Sequence, residues 1–182
     1  MDTPWIPTDV ELGLLVRELG AELQQRKLML VTAESCTGGW IAKALTDQSG
    51  SSAWFAGGVV AYSHQVKQAL LGVEPHSLIR GAVNRDTVLE MVSGALAGMD
   101  SDVAVAVTGI AGPGGGSGAT PIGTVWIGWQ CRQGNAQAQV FHFSGDRQAV
   151  RRQTVATALI GVRQILTGKS GDYPHRWLGA VG

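Results

Sequence analysis

The segment Ala33-Glu34-Ser35-Cys36-Thr37-Gly38-Gly39 sets two nucleophile candidates side by side at a turn. The residues before it, Leu28 to Ala33, read as a strand, and the residues from Trp40 read as a helix. A hydroxyl at such a turn is pushed out of the fold. The glycines after it bare backbone N–H groups at the positive end of the next helix. The arrangement suits a nucleophile with an oxyanion site, or a phosphate cradle, while the plain alternative for Ser35 is a helix cap. Cys36 is the rival nucleophile, because a thiol at a helix N-terminus is acidified. Its plain alternative is a small buried residue.

A serine needs a base. The spacing is not that of a Gly-x-Ser-x-Gly elbow, and none of His64, His76, His142 and His175 falls in a segment that reads as a catalytic loop. Lys67 is the candidate: it follows Tyr62-Ser63 by one helical turn, and Val66, Ala69, Leu70 and Leu71 make an apolar setting. Burial lowers a lysine pKa and turns the amine into a usable base. A solvated helix lysine is the alternative. Tyr62 could hydrogen-bond the lysine or the leaving group, or simply pack.

Further along, Thr108-Gly109-Ile110-Ala111-Gly112-Pro113 leaves an apolar strand, so it could wall a pocket beyond the strand ends. It lacks the Gly-Lys-Ser/Thr of a nucleotide-hydrolysing loop, and no helix follows as in a dinucleotide fingerprint. Arg147 and Arg151, four apart, put cations in the first turns of a helix, against its dipole. An anion such as phosphate would relieve that, as would salt bridges. No ligand spacing for a metal stands out.

These residues need a scaffold. A chain of 182 residues makes one domain, 1–182, with a core of about 8–167, and buries roughly 70% of its unfolded surface without staples. Thr8 with Glu11 forms a capping box, and Leu12, Leu15, Val16, Leu19 and Leu23 share a helical face. A helix is expected from about Thr37 to Asp47, a strand over Phe55–Ser63, and a helix over His64–Leu71 stopped by Gly72. Asn84 caps a helix running to about Gly98. Strands follow at Asp102–Thr108, Thr124–Cys131 and Ala138–Phe143, then a helix from about Asp146 to Thr167. The tail 168–182 reads as loose, or as a packing arm. Helices interleaved with strands predict an α/β fold, a three-layer α/β/α sandwich with a mixed, mostly parallel sheet.

The formal net charge of zero argues against a broad nucleic-acid footprint. No apolar run reaches the roughly 18 residues of a membrane span, and the first residues lack a signal-peptide pattern. Two cysteines make no disulfide framework. The expectation is a soluble, cytoplasmic protein.

Taken together with Leu71-Gly72-Val73, Gly81-Ala82-Val83 and Pro121-Ile122-Gly123-Thr124-Val125-Trp126, these motifs resemble the CinA C-terminal domain family over about residues 8–167. The resemblance implies a serine-type amidohydrolase that needs no metal or other cofactor. Its implied reaction converts nicotinamide mononucleotide and water to nicotinate mononucleotide and ammonia. It implies Ser35 as nucleophile and Lys67 as base, assisted by Tyr62. Gly38, Gly39, Thr108 and Gly109 become pocket walls and oxyanion donors, and Arg147 and Arg151 phosphate ligands. It also implies a homo-oligomer, taken as a dimer; the neutral charge and the lack of a long apolar run add the expectation of no nucleic-acid or membrane partner. The alternatives are a catalytically silent nucleotide-binding module, an amidohydrolase of another amide or one using Cys36, and a partner-binding role in DNA uptake or repair. Two departures from the family pattern stand out. Asn84 replaces an expected serine but keeps a helix cap. His64 replaces an expected asparagine and, if protonated, would lower the Lys67 pKa further.

Overall fold

A computed structural model describes residues 5–168 and the short strand 180–181. Its elements run α1 (Asp9–Arg26), β1 (Leu30–Glu34), α2 (Trp40–Thr46), β2 (Phe55–Val60), α3 (His64–Leu71), α4 (Arg85–Gly98), β3 (Val103–Gly109), β4 (Thr124–Cys131), β5 (Gln137–His142), α5 (Arg147–Thr167) and β6 (Ala180–Val181). The expectation for the tail falls largely on 169–179 and 182, outside the described residues.

Local signals explain most boundaries. Thr8 and Glu11 make both halves of the capping box that starts α1. Ser63, Asn84 and Asp146 each accept a backbone N–H at the start of α3, α4 and α5. Gly72, in the left-handed region, ends α3. Among the boundaries that differ from the sequence reading, two matter for the site. β1 reaches Glu34, so Ser35 is the first residue beyond the strand. α2 starts at Trp40 rather than Thr37, because Gly39 sits at φ 94° and breaks the helical path before it.

The strand order is β2-β1-β3-β4-β5-β6. A mostly parallel sheet was expected, and the structure overturns that. β1 pairs in parallel with β2 and β3, but β3–β4, β4–β5 and β5–β6 are all antiparallel. The cause is the connection: α3 and α4 carry the chain from β2 across β1 to β3, whereas only a loop joins β3 to β4. Adjacent parallel strands need a crossover, and a loop that folds back gives an antiparallel neighbour.

The sheet has an apolar core on each face. α1, α2 and α5 cover one, with Leu19, Leu23, Ile41, Val155 and Leu159 fully buried. α3 and α4 cover the other, with Leu71, Val88, Met91 and Val92. Each such side chain contributes roughly 1.5–3 kcal/mol. β3 serves both cores: Val103, Val105 and Val107 face the first, and Ala104 and Ala106 face the second. α3 is held tightly on α4, since a Cβ at Gly94 would lie 1.9 Å from the Leu71 carbonyl oxygen. That contact fixes the helix that carries Lys67.

Candidate active site

The C-terminal ends of the three parallel strands meet at one place, where ligands of α/β sheets bind. Glu34, the last residue of β1, is in register with Val60 and Val107. Its carbonyl accepts the Ala61 N–H at 2.8 Å, and the Ser35 N–H donates to the Val107 carbonyl at 3.1 Å. Ser35 is therefore pinned between the neighbouring strand ends, and it is buried.

α3 begins just after β2, capped by Ser63, and its first turn brings Lys67 back over the same strand ends. Lys67 Nζ lies 2.9 Å from Ser35 Oγ, 2.5 Å from the Ala61 carbonyl oxygen and 3.2 Å from that of Tyr62. The side chain is 1% exposed. No carboxylate pairs with it among the described residues. Burial lowers its pKa to about 8, against a smaller opposing effect of Cys36. The imidazole of His64, exposed at the edge of the cleft, is not among the causes.

A cleft of about 250 Å³ opens over these groups, lined by Ser35, Cys36, Tyr62, His64, Lys67, Ala82, Val83, Thr108, Gly109, Ala111 and Arg147. A larger one, about 620 Å³, lies between β4, β5 and α5, and it holds none of the predicted site residues. Ser35, Tyr62 and Lys67, the candidate catalytic residues, line the smaller. Arg147, the first residue of α5, reaches the smaller cleft while donating to the Gly112 carbonyl at 2.8 Å. Thr108 is buried and donates to the Ala82 carbonyl at 3.0 Å, tying the end of β3 to the far wall. Tyr62 stands at the mouth with 63% of its surface exposed, and its carbonyl rather than its ring contacts Lys67.

Three predicted residues are placed elsewhere. Gly38 donates to the Ser35 carbonyl and Gly39 to the Glu34 carboxylate, so both N–H groups are spent within the turn. Neither glycine lines the cleft. Arg151 donates to the carbonyls of Cys36 and Thr37 and stacks over the Trp40 ring, outside the cleft lining. Nor does Ser35 cap α2, whose N-cap is Gly39 with no side-chain bond.

Glu34 is the residue that sequence reasoning passed over. It is 1% exposed, and its carboxylate accepts from Thr37 Oγ1 and from the N–H groups of Gly39, Ile41 and Ala42. It thus fills the anion-favouring start of α2 that the sequence offered as a phosphate cradle. A signal existed: a helix with glycine at its N-cap needs another partner for its first N–H groups. The acid just before the turn was within reach. Cys36 belongs to the apolar core, and burial pushes its thiol up to about 12, with the Glu34 carboxylate pushing the same way.

Known proteins resemble this chain in sequence and in fold. The CinA C-terminal domain family model matches residues 14–166. The chain is 48% identical over 153 residues to a protein of Escherichia coli K12 named nicotinamide-nucleotide amidohydrolase PncC, covering 84% of this chain and 93% of that protein. It is 49% identical over 159 residues to the protein of the same name from Pseudomonas putida, covering 84% and 96%. The crystal structure of the competence/damage inducible protein CihA from Agrobacterium tumefaciens superposes with a TM-score of 0.83 at 42% identity, covering 90% of this chain and 99% of that one. With strands β1 to β5, the serine turn and the buried lysine all within the matched span, the chain belongs to the CinA C-terminal domain family.

Proposed function

We propose that this protein is an amidohydrolase that converts nicotinamide mononucleotide and water to nicotinate mononucleotide and ammonia through an acyl-enzyme on Ser35. The observation that carries the reading is the buried Lys67 amine 2.9 Å from the Ser35 hydroxyl, its pKa lowered to about 8. The names of the similar proteins supply the substrate class.

Neutral Lys67 takes the Ser35 proton as Oγ attacks the carboxamide carbon. The tetrahedral oxyanion meets the Cys36 N–H, which donates to no carbonyl or carboxylate among the described residues. Lys67 then hands the proton to the departing nitrogen, ammonia leaves, and an ester remains on Ser35. Water attacks the ester, Lys67 again accepting and returning a proton, and the carboxylate product is released. Arg147 at the cleft wall binds the substrate phosphate and orients the ring. Cys36 is the poorer nucleophile because its thiolate is disfavoured by burial.

The test is mass spectrometry of the intact protein after acid quench during turnover. An adduct of the nicotinate mononucleotide acyl group on Ser35 is expected. Turnover with the adduct on Cys36 would overturn the nucleophile, and binding without turnover would favour a silent nucleotide-binding module.

A further inference from the structure

We infer that Glu34 and Arg151 act as a two-sided clamp that sets the shape of the 35–39 turn and thereby positions Ser35 for attack. The inference rests on the reading of Ser35 as nucleophile. Neither residue touches the reacting atoms; both are positioning residues.

The turn has little to hold it from within. α2 is only seven residues long, and its N-cap is a glycine with no side-chain bond. Its amide side is gripped instead from β1. Glu34 Oε2 accepts from Thr37 Oγ1 at 2.6 Å and from the Gly39 and Ile41 N–H groups at 3.0 Å, while Oε1 accepts from the Ala42 N–H at 2.8 Å. Its carbonyl side is gripped from α5. Arg151 Nε donates to the Cys36 carbonyl at 3.2 Å, and one of its terminal nitrogens donates to the Thr37 carbonyl at 2.6 Å. The guanidinium lies 5.3 Å from the centre of the Trp40 ring, so the fork is braced against the first residue of α2.

An anion on the amide side and a cation on the carbonyl side leave the peptide planes of the turn one orientation. Both come from elements that cannot drift. β1 is paired along both edges, and α5 runs for 21 residues against the core. Charge-assisted hydrogen bonds of this kind are about twice as strong as neutral ones. The clamp fixes the Ser35 side chain over Lys67 and aims the Cys36 N–H. It also gives Arg151 a task other than holding a substrate anion, because its Nε and one terminal nitrogen are turned to the protein backbone and the guanidinium lies outside the cleft lining.

Steady-state kinetics on nicotinamide mononucleotide separate the two tasks. Arg151→Met is expected to lower kcat by about 10²-fold while KM stays within about threefold, since an ångström of misplacement costs that much. Arg151→Lys should recover part of the loss, because an ammonium still reaches one of the carbonyls. Glu34→Gln should lower kcat similarly, because an amide NH2 would face a backbone N–H. Should Glu34→Gln not fold, the Arg151 variants decide. An Arg151→Met protein with raised KM and unchanged kcat would overturn the clamp in favour of substrate contact. Unchanged kcat and KM would overturn it outright. Ser35→Ala is measured alongside. If it is dead while the clamp variants behave as wild type, only the clamp fails. If it still turns over, the nucleophile reading fails and the clamp's role in catalysis fails with it.

Discussion

Lys67 faces Ser35 Oγ across 2.9 Å, and its other two neighbours, the Ala61 and Tyr62 carbonyls, can only accept hydrogen bonds. A neutral amine satisfies both carbonyls with its two N–H bonds and turns its lone pair to the serine hydroxyl. An ammonium places a third proton on that line, and the hydroxyl loses its acceptor. The activity should therefore switch on as Lys67 deprotonates. kcat/KM is expected to rise with pH through an apparent pKa of about 8 and then level off. A profile flat from pH 6 to 10 would remove Lys67 from the role of base.

The same group links pH to stability. Its pKa is lowered from 10.5 to about 8 on folding, so between those values the unfolded chain binds more protons. Lys67 therefore makes stability rise with pH across that window, by about 3 kcal/mol over its whole width, and the gain is lost as pH falls from 10.5 to 8, below which the contribution is constant. Cys36 acts in the opposite sense, its pKa rising from 9.0 to about 12 on folding, so its contribution is lost as pH rises across that range. Comparing wild type with Lys67→Met isolates the lysine. Denaturant melts from pH 7 to 10 should show wild type gaining on the variant as pH rises.

Arg147 lines the cleft, donates a hydrogen bond to the Gly112 carbonyl, and makes no ion pair among the described residues. As a phosphate ligand it contributes mainly to binding. Arg147→Met should raise KM for nicotinamide mononucleotide by about tenfold or more, with kcat within about fivefold. Substrate titrations check this, and an unchanged KM would place the phosphate elsewhere.

Cys36 should be dispensable. Cys36→Ala is expected to keep kcat within about threefold and to cost about 1 kcal/mol of stability, as a small buried side chain lost from the core. Alkylation of the native protein at pH 8 should be slow, because the thiol is held near 12. Rapid alkylation with concomitant inactivation would reopen the cysteine mechanism.

Gly94 links packing to chemistry. Gly94→Ala forces a methyl toward the Leu71 carbonyl, and Leu71 closes the helix that carries Lys67. The expected cost is roughly 1–3 kcal/mol of stability, with reduced kcat in the folded fraction. Thermal melts and active-site titration together check both parts.

Much of this was legible in the chain because the signals were local. The Thr8–Glu11 box, the Asn84 cap and the Gly72 stop each act within a few residues, and each sits where it was read. Lys67 could be proposed as a base because its apolar neighbours surround it in sequence. What was not legible depended on long-range geometry. The direction of β4 follows from how a loop returns over β3, which residue types do not reveal. Arg151 reads as an anion ligand until its partners, the Cys36 and Thr37 carbonyls 115 and 114 residues earlier, come into view. Glu34 carried no role in the reading of the chain, yet it satisfies the start of α2. The shared cleft of Ser35, Tyr62, Lys67, Thr108, Gly109 and Arg147 is a product of the three parallel strand ends.

The central claim is amide hydrolysis at Ser35, and ammonia release tests it most directly. Wild type incubated with nicotinamide mononucleotide should release ammonia and nicotinate mononucleotide in equal amounts, and Ser35→Ala should lose at least about 10³-fold in rate while remaining folded. Ammonia release that survives in Ser35→Ala, or a wild-type protein that binds the nucleotide and releases none, would contradict the account.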